Sequence, residues 1–162
     1  MQISAPVPRD FAGCPHLWEL FRSRLDGAAR AELVERLSRA ARTVPAGAEI
    51  LHEGGPAGAA VWVLDGWVAL SKSLEDGRSQ TVDLVLPGDL IPARPGARAV
   101  SPVAATALTS ARLATLPKGS ASAAPLPALA ELIEELAAGA AARQWERMLR
   151  LGQSNAVERV AF

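Results

Sequence analysis

Val61-Trp62-Val63-Leu64-Asp65-Gly66-Trp67-Val68-Ala69-Leu70 is the stretch that decides the fold. Two apolar runs meet at one Asp-Gly step. Strands joined by Asp-Gly predict a β-hairpin, because both central turn positions take positive φ. The same grammar extends in both directions. Val44-Pro45-Ala46-Gly47 turns into a strand at Glu49-Ile50-Leu51, and Glu53–Gly58 is a Gly/Pro loop. Glu75-Asp76-Gly77-Arg78 reads as a second hairpin turn. Within Ser79–Leu86, Val82, Leu84 and Leu86 alternate with Thr81 and Asp83, which predicts a half-buried strand with its apolar members toward a core. Pro87-Gly88-Asp89 turns the chain, Pro92–Pro102 is a loop, and Val103–Leu108 and Ala111–Leu116 are the last strands. Short apolar runs between glycine turns predict a mainly β fold, an antiparallel β-roll of the jelly-roll kind.

Helical spacing flanks this region. Residues 1–15 hold Pro6, Pro8 and Pro15 and read as an irregular arm. Leu17, Phe21 and Leu25 recur every four residues, Asp26-Gly27 interrupts, and Arg30–Arg42 resumes the helical pattern. Both short helices are expected to cover the edge of the roll, with Trp62 and Trp67 packed in the core. After the Ser/Ala/Pro connector Ala121–Pro127, an amphipathic helix runs over Ala128–Leu151, about 36 Å at roughly 1.5 Å per residue. That is longer than a small roll covers, so Leu129, Ile133, Leu136, Ala140 and Trp145 are expected to form a homodimer interface. Gly152 is expected to end it. Asn155 and Glu158 resemble the start of a further helix, whose Val157, Val160, Ala161 and Phe162 form an apolar face. The expected organisation is thus 1–42 as N-terminal arm and helices, 43–127 as sensor roll and connector, 128–152 as dimerisation helix and 153–162 as the start of another domain.

Composition narrows the function. Lys+Arg and Asp+Glu both total 17 among 162 residues, so no global basic surface exists for nucleic acid. One cysteine, Cys14, excludes an intramolecular disulfide and a cluster held by one chain's cysteines. His16 and His52 stand alone and read as surface residues, not haem or metal ligands; two histidines also fall short of a cupin-type metal site. No apolar run is long enough to cross a bilayer, and the first ten residues lack the basic-then-apolar order of a signal peptide. A cytoplasmic location without membrane contact is expected. No Gly-x-Ser-x-Gly, P-loop or triad spacing occurs, so no enzyme is expected.

Several blocks together resemble the sensor domain of the Crp/Fnr family of transcription regulators. They are Val44–Gly47, Val63-Leu64-Asp65-Gly66-Trp67-Val68, Asp76-Gly77-Arg78-Ser79-Gln80, Leu86-Pro87-Gly88-Asp89-Leu90-Ile91 and Arg112–Pro117. The helix through Trp145-Glu146-Arg147-Met148-Leu149 is similar to that family's dimerisation helix, and Ser154–Ala161 to the opening of its winged helix-turn-helix domain. The resemblance implies a cyclic-nucleotide-binding-like roll in a homodimeric regulator, with DNA read by a domain beyond Phe162.

It also implies where an effector would sit. Cyclic-nucleotide binders of this family hold the phosphate with an arginine and backbone N–H groups and the ribose with a glutamate. Here no glutamate occurs between Glu75 and Glu131, and Pro92 and Pro95 each remove a backbone donor. The pocket is therefore read as degenerate, with a cyclic nucleotide disfavoured and no cofactor assigned. Arg94, Arg98 and Ser101 remain to meet a different effector, anionic or small and apolar. The alternative function is a stand-alone regulatory or interaction module of the same fold that does not bind DNA.

Overall fold

A computed structural model describes residues 7–57, 59–91, 100–117 and 127–153. A 3-10 turn at Arg9–Phe11 leads into α1 (Pro15–Arg24) and α2 (Gly27–Ala40). Then come β1 (Ala41–Val44), β2 (Glu49–Leu51), β3 (Ala59–Asp65), β4 (Val68–Ser73), β5 (Ser79–Val85), β6 (Leu90–Ile91), β7 (Ala104–Ala107) and β8 (Ala111–Pro117). The long helix α3 spans Pro127–Gln153 and runs through Gly152, where an end was expected. Asp26 caps α2: its Oδ1 accepts the Ala29 N–H at 2.8 Å. The helical spacing read as reaching Arg42 gives way to strand β1 at Ala41.

Two antiparallel sheets form the roll, in the orders β1-β8-β3-β6 and β2-β7-β4-β5. The Asp65-Gly66 step therefore joins strands of different sheets, and the expected hairpin is not there. Both edges of β3 are taken by β6 and β8, and both edges of β4 by β5 and β7. Of the two residues of this step only Gly66 takes positive φ, at 80°, and a Cβ there would lie 2.4 Å from the Ser110 carbonyl oxygen. The step is a corner between layers. The Gly77 turn, by contrast, does join the paired strands β4 and β5.

The first sheet is buried on both faces. Trp62, Leu64, Leu90 and Ala114 face outward into a core with Phe11, Leu17, Phe21, Leu33, Leu37 and Leu132. Val61, Val63, Ile91, Ala111 and Leu113 face inward, against Val68, Leu70, Val85 and Ala105 of the second sheet. This explains the unbroken apolar run of β3, since a strand covered on both sides needs no polar alternation. The helices thus cover a whole sheet face, where edge cover was expected. Phe21 lies 5.4 Å from Trp62 between ring centroids, and the Arg30 guanidinium stacks over Trp18 at 5.5 Å.

The second sheet leaves its outer face open. The alternation in β5 holds, with the opposite sense. Val85 pairs with the buried Val68 and points inward, while Val82, Leu84 and Leu86 are 42%, 41% and 42% exposed. The period fixes two faces, and cross-strand pairing decides which is inner. Trp67 follows the corner and is likewise exposed, not in the core.

Candidate effector site and helix α3

At one end of the roll the two sheets part around a cavity of about 170 Å³. Ile50, Leu51, Ala57, Ala59, Val61 and Ile91 give it an apolar wall, with Arg42 and Thr115 as polar members. Register explains how these two meet. Arg42 pairs with Leu113, an inward-facing residue, so Arg42 faces inward too. Thr115 lies two residues beyond Leu113 on the same strand, on the same face. Neither residue was singled out from sequence, because the β1–β8 pairing that joins them is non-local.

Of the expected effector residues, Arg94 and Arg98 lie outside the described residues. Ser101 is buried, and its hydroxyl serves its own turn: Oγ donates to the Val103 carbonyl at 2.6 Å and accepts the Val103 N–H at 3.3 Å. Its backbone exchanges two 2.8 Å hydrogen bonds with Gly54 and Gly55. Nearby, the Glu53 carboxylate accepts from Lys72 and from the Ser73 N–H, which hold it down at about 2. The sequence offered no signal for that pairing across 19 residues.

Helix α3 divides into two arcs. Leu132, Ile133 and Leu136 pack against the α1–α2 core, and Glu135 takes an ion pair from Arg24 at 2.7 Å. Further along, the helix meets the roll through charge. Arg143 pairs with Asp89 at 3.0 Å and Arg147 with Asp83, while Ala140 and Gln144 border the same crevice as Leu84 and Leu90. Trp145, Met148 and Leu149 are 69%, 61% and 63% exposed. At roughly 100° per residue they fall on the side of the helix opposite Arg143 and Arg147. The five residues expected to share one seam are thus split. Ile133, Leu136 and Ala140 face their own chain, Trp145 faces away, and the side chain of Leu129 lies outside the described residues.

Cys14 is buried, and burial first, then Asp65, push its thiol up to about 11. A thiol reagent at neutral pH should leave the native chain unmodified and titrate one thiol after denaturation. Rapid native reaction would contradict the burial. Because the folded value lies above the ordinary 9.0, this group favours the folded state below pH 9 and loses that contribution as pH rises toward 11. Among the described residues no three His, Cys, Asp or Glu converge on a common point. No described helix is long and apolar enough to cross a membrane.

Two facing sheets closing on an inner cavity, with helices over one sheet, define a β-roll. The model of the cyclic nucleotide-binding domain matches residues 41–123, about half of the chain, and the chain belongs to that family. No curated protein matches it. Solved structures do. FixK2 from Bradyrhizobium japonicum is 29% identical with a TM-score of 0.65, over 75% of this chain and 61% of that one. The N-terminal domain of a transcriptional regulator from Streptomyces coelicolor is 27% identical with a TM-score of 0.56, over 84% and 92%. TTHA1359, a CRP/FNR family transcriptional regulator from Thermus thermophilus, is 27% identical with a TM-score of 0.59, over 72% and 58%. The roll is therefore a cyclic nucleotide-binding domain of the kind found in Crp/Fnr transcription regulators. The chain spans about three-fifths of the FixK2 chain.

Proposed function

We propose that the chain is the effector-sensing and dimerisation part of a Crp/Fnr-like bacterial transcription regulator, acting in the cytoplasm. Its cyclic-nucleotide pocket is degenerate. The observation that carries the dimer is the outer arc of α3. Trp145, Met148 and Leu149 stand exposed on one side while charge pairs hold the other side to the roll. Alanines 137, 138, 141 and 142 share that outer arc, and short side chains let two helices approach closely. The seam proposed here keeps Trp145 and replaces the roll-facing positions. An effector in the roll would shift α3 between two packings and so bias the dimer. DNA reading is assigned to a part of the regulator beyond Phe162, in keeping with the fraction of FixK2 that this chain spans.

Support for the degenerate pocket comes from the absent glutamate between Glu75 and Glu131 and from the engagement of Ser101 in its own turn. Sedimentation and calorimetry test the reading together. A dimer at micromolar concentration with no saturable heat from cyclic AMP is expected. A monomer would sink the dimerisation role, and micromolar binding of cyclic AMP would sink the degenerate pocket.

A further inference from the structure

We infer that the open end of the roll is a receptor for a small monocarboxylate carrying an apolar tail. This rests on the sensor reading above and names the chemical class of its effector. The cavity wall is Ile50, Leu51, Ala57, Val61 and Ile91, drawn from both sheets. At the mouth of this apolar chamber the fold places one exposed guanidinium and one half-buried hydroxyl. Arg42 and Thr115 are diagonal neighbours on adjacent strands, on the inward face. The Arg42 side chain makes no ion pair or hydrogen bond with another described residue, and no carboxylate lines the cavity among them. The other described arginines with an assigned ion pair, such as Arg22, Arg24, Arg39 and Arg78, each have an acid of their own.

The chemistry follows from that inventory. A guanidinium fork meets a carboxylate through two parallel N–H···O bonds and stays charged at any working pH. The threonine hydroxyl can donate a third bond to the same oxygen pair. Everything else in the wall favours hydrocarbon. At about 170 Å³ the cavity falls below the roughly 300 Å³ at which pockets for drug-sized ligands begin, so the tail is short. A nucleotide fits this lining poorly. Its ribose hydroxyls and base edge would find no partners among Ile50, Leu51, Ala57, Val61 and Ile91, and unpaired buried polar groups are costly.

Calorimetric titration of the chain with sodium hexanoate tests the assignment, with hexanamide as the uncharged isostere. Saturable uptake of hexanoate is expected, with binding at least about tenfold weaker for hexanamide and for Arg42→Gln. Arg42→Lys should recover part of the loss, because the charge returns without the fork. Thr115→Val should weaken hexanoate less than Arg42→Gln does. Arg42 is exposed, so its substitution leaves the core intact. Absence of saturable hexanoate binding, equal affinity for hexanamide, or full affinity in Arg42→Gln would each overturn the proposal. Sedimentation of the same samples separates the two readings. Hexanoate bound by a monomer upholds the carboxylate site and sinks the dimeric regulator; a dimer indifferent to hexanoate does the reverse.

Discussion

Gly66→Ala is expected to lower stability by about 3 kcal/mol, combining positive-φ strain with overpacking. Gly66 holds φ at 80° in the corner between the two sheets. A Cβ there would stand 2.4 Å from the Ser110 oxygen and 2.7 Å from the Ala111 Cα. Both are backbone atoms of the turn entering β8, the central strand that pairs with β1 and β3. They cannot yield without moving the sheet. Gly77→Ala isolates the conformational part. Its φ is 84°, yet nothing lies within 4 Å of the added carbon. That variant should cost only about 1 kcal/mol. Urea unfolding of both variants reads the difference. Equal midpoints would mean that the close approach at the corner is absent.

Trp145→Glu combined with Leu149→Glu should convert the dimer to a monomer, with the dissociation constant raised at least about a thousandfold. The estimate follows from four large apolar groups per dimer lost from the seam and four unpaired charges placed in it. Both positions are more than half exposed in the single chain, so the fold itself should be unaffected. Ile133→Glu makes the contrast. Ile133 packs against the α1–α2 core, so its substitution should lower the unfolding midpoint of the chain. Sedimentation velocity reads the first effect and thermal unfolding the second. A dimer that survives the double substitution would place the interface elsewhere on the molecule.

What the sequence disclosed was local. Strand positions could be read because glycines at 47, 66, 77 and 88 mark the turns, and all four take positive φ. Which strands pair could not be read. Asp65-Gly66 has the composition of a hairpin turn, yet the partners of β3 are β6 and β8, and β4 belongs to the other sheet. In β5 the alternation showed two faces but not their sense, because Leu84 and Val85 are equally apolar and only the Val68–Val85 pairing chooses between them. In α3 a single amphipathic stripe was expected, whereas the helix carries two, one for its own core and one turned away. The short strand β6 follows the Pro87-Gly88-Asp89 turn and, at two residues, is too short to show a period. As for the site, Arg94 and Arg98 were reached through the family resemblance, and they lie outside the described residues. The convergence of Arg42 and Thr115 leaves no trace in composition or spacing, since a strand pairing alone creates it.

The way α3 is fastened bears on how the module meets its surroundings. Near Leu132 the helix is anchored by hydrocarbon, while beyond Gly139 its ion pairs to the roll are Arg143–Asp89 and Arg147–Asp83 among the described residues. Dissolved salt acts on these two kinds of fastening in opposite directions. Screening shortens from about 10 Å at 0.1 M to about 3 Å at 1 M and weakens charge pairs, whereas excluded salts strengthen apolar contact. Rising ionic strength therefore loosens the far half of the helix from its own roll and favours burial of Trp145, Met148 and Leu149. The posture of the far half of α3 is thus expected to depend on the medium as well as on the chain.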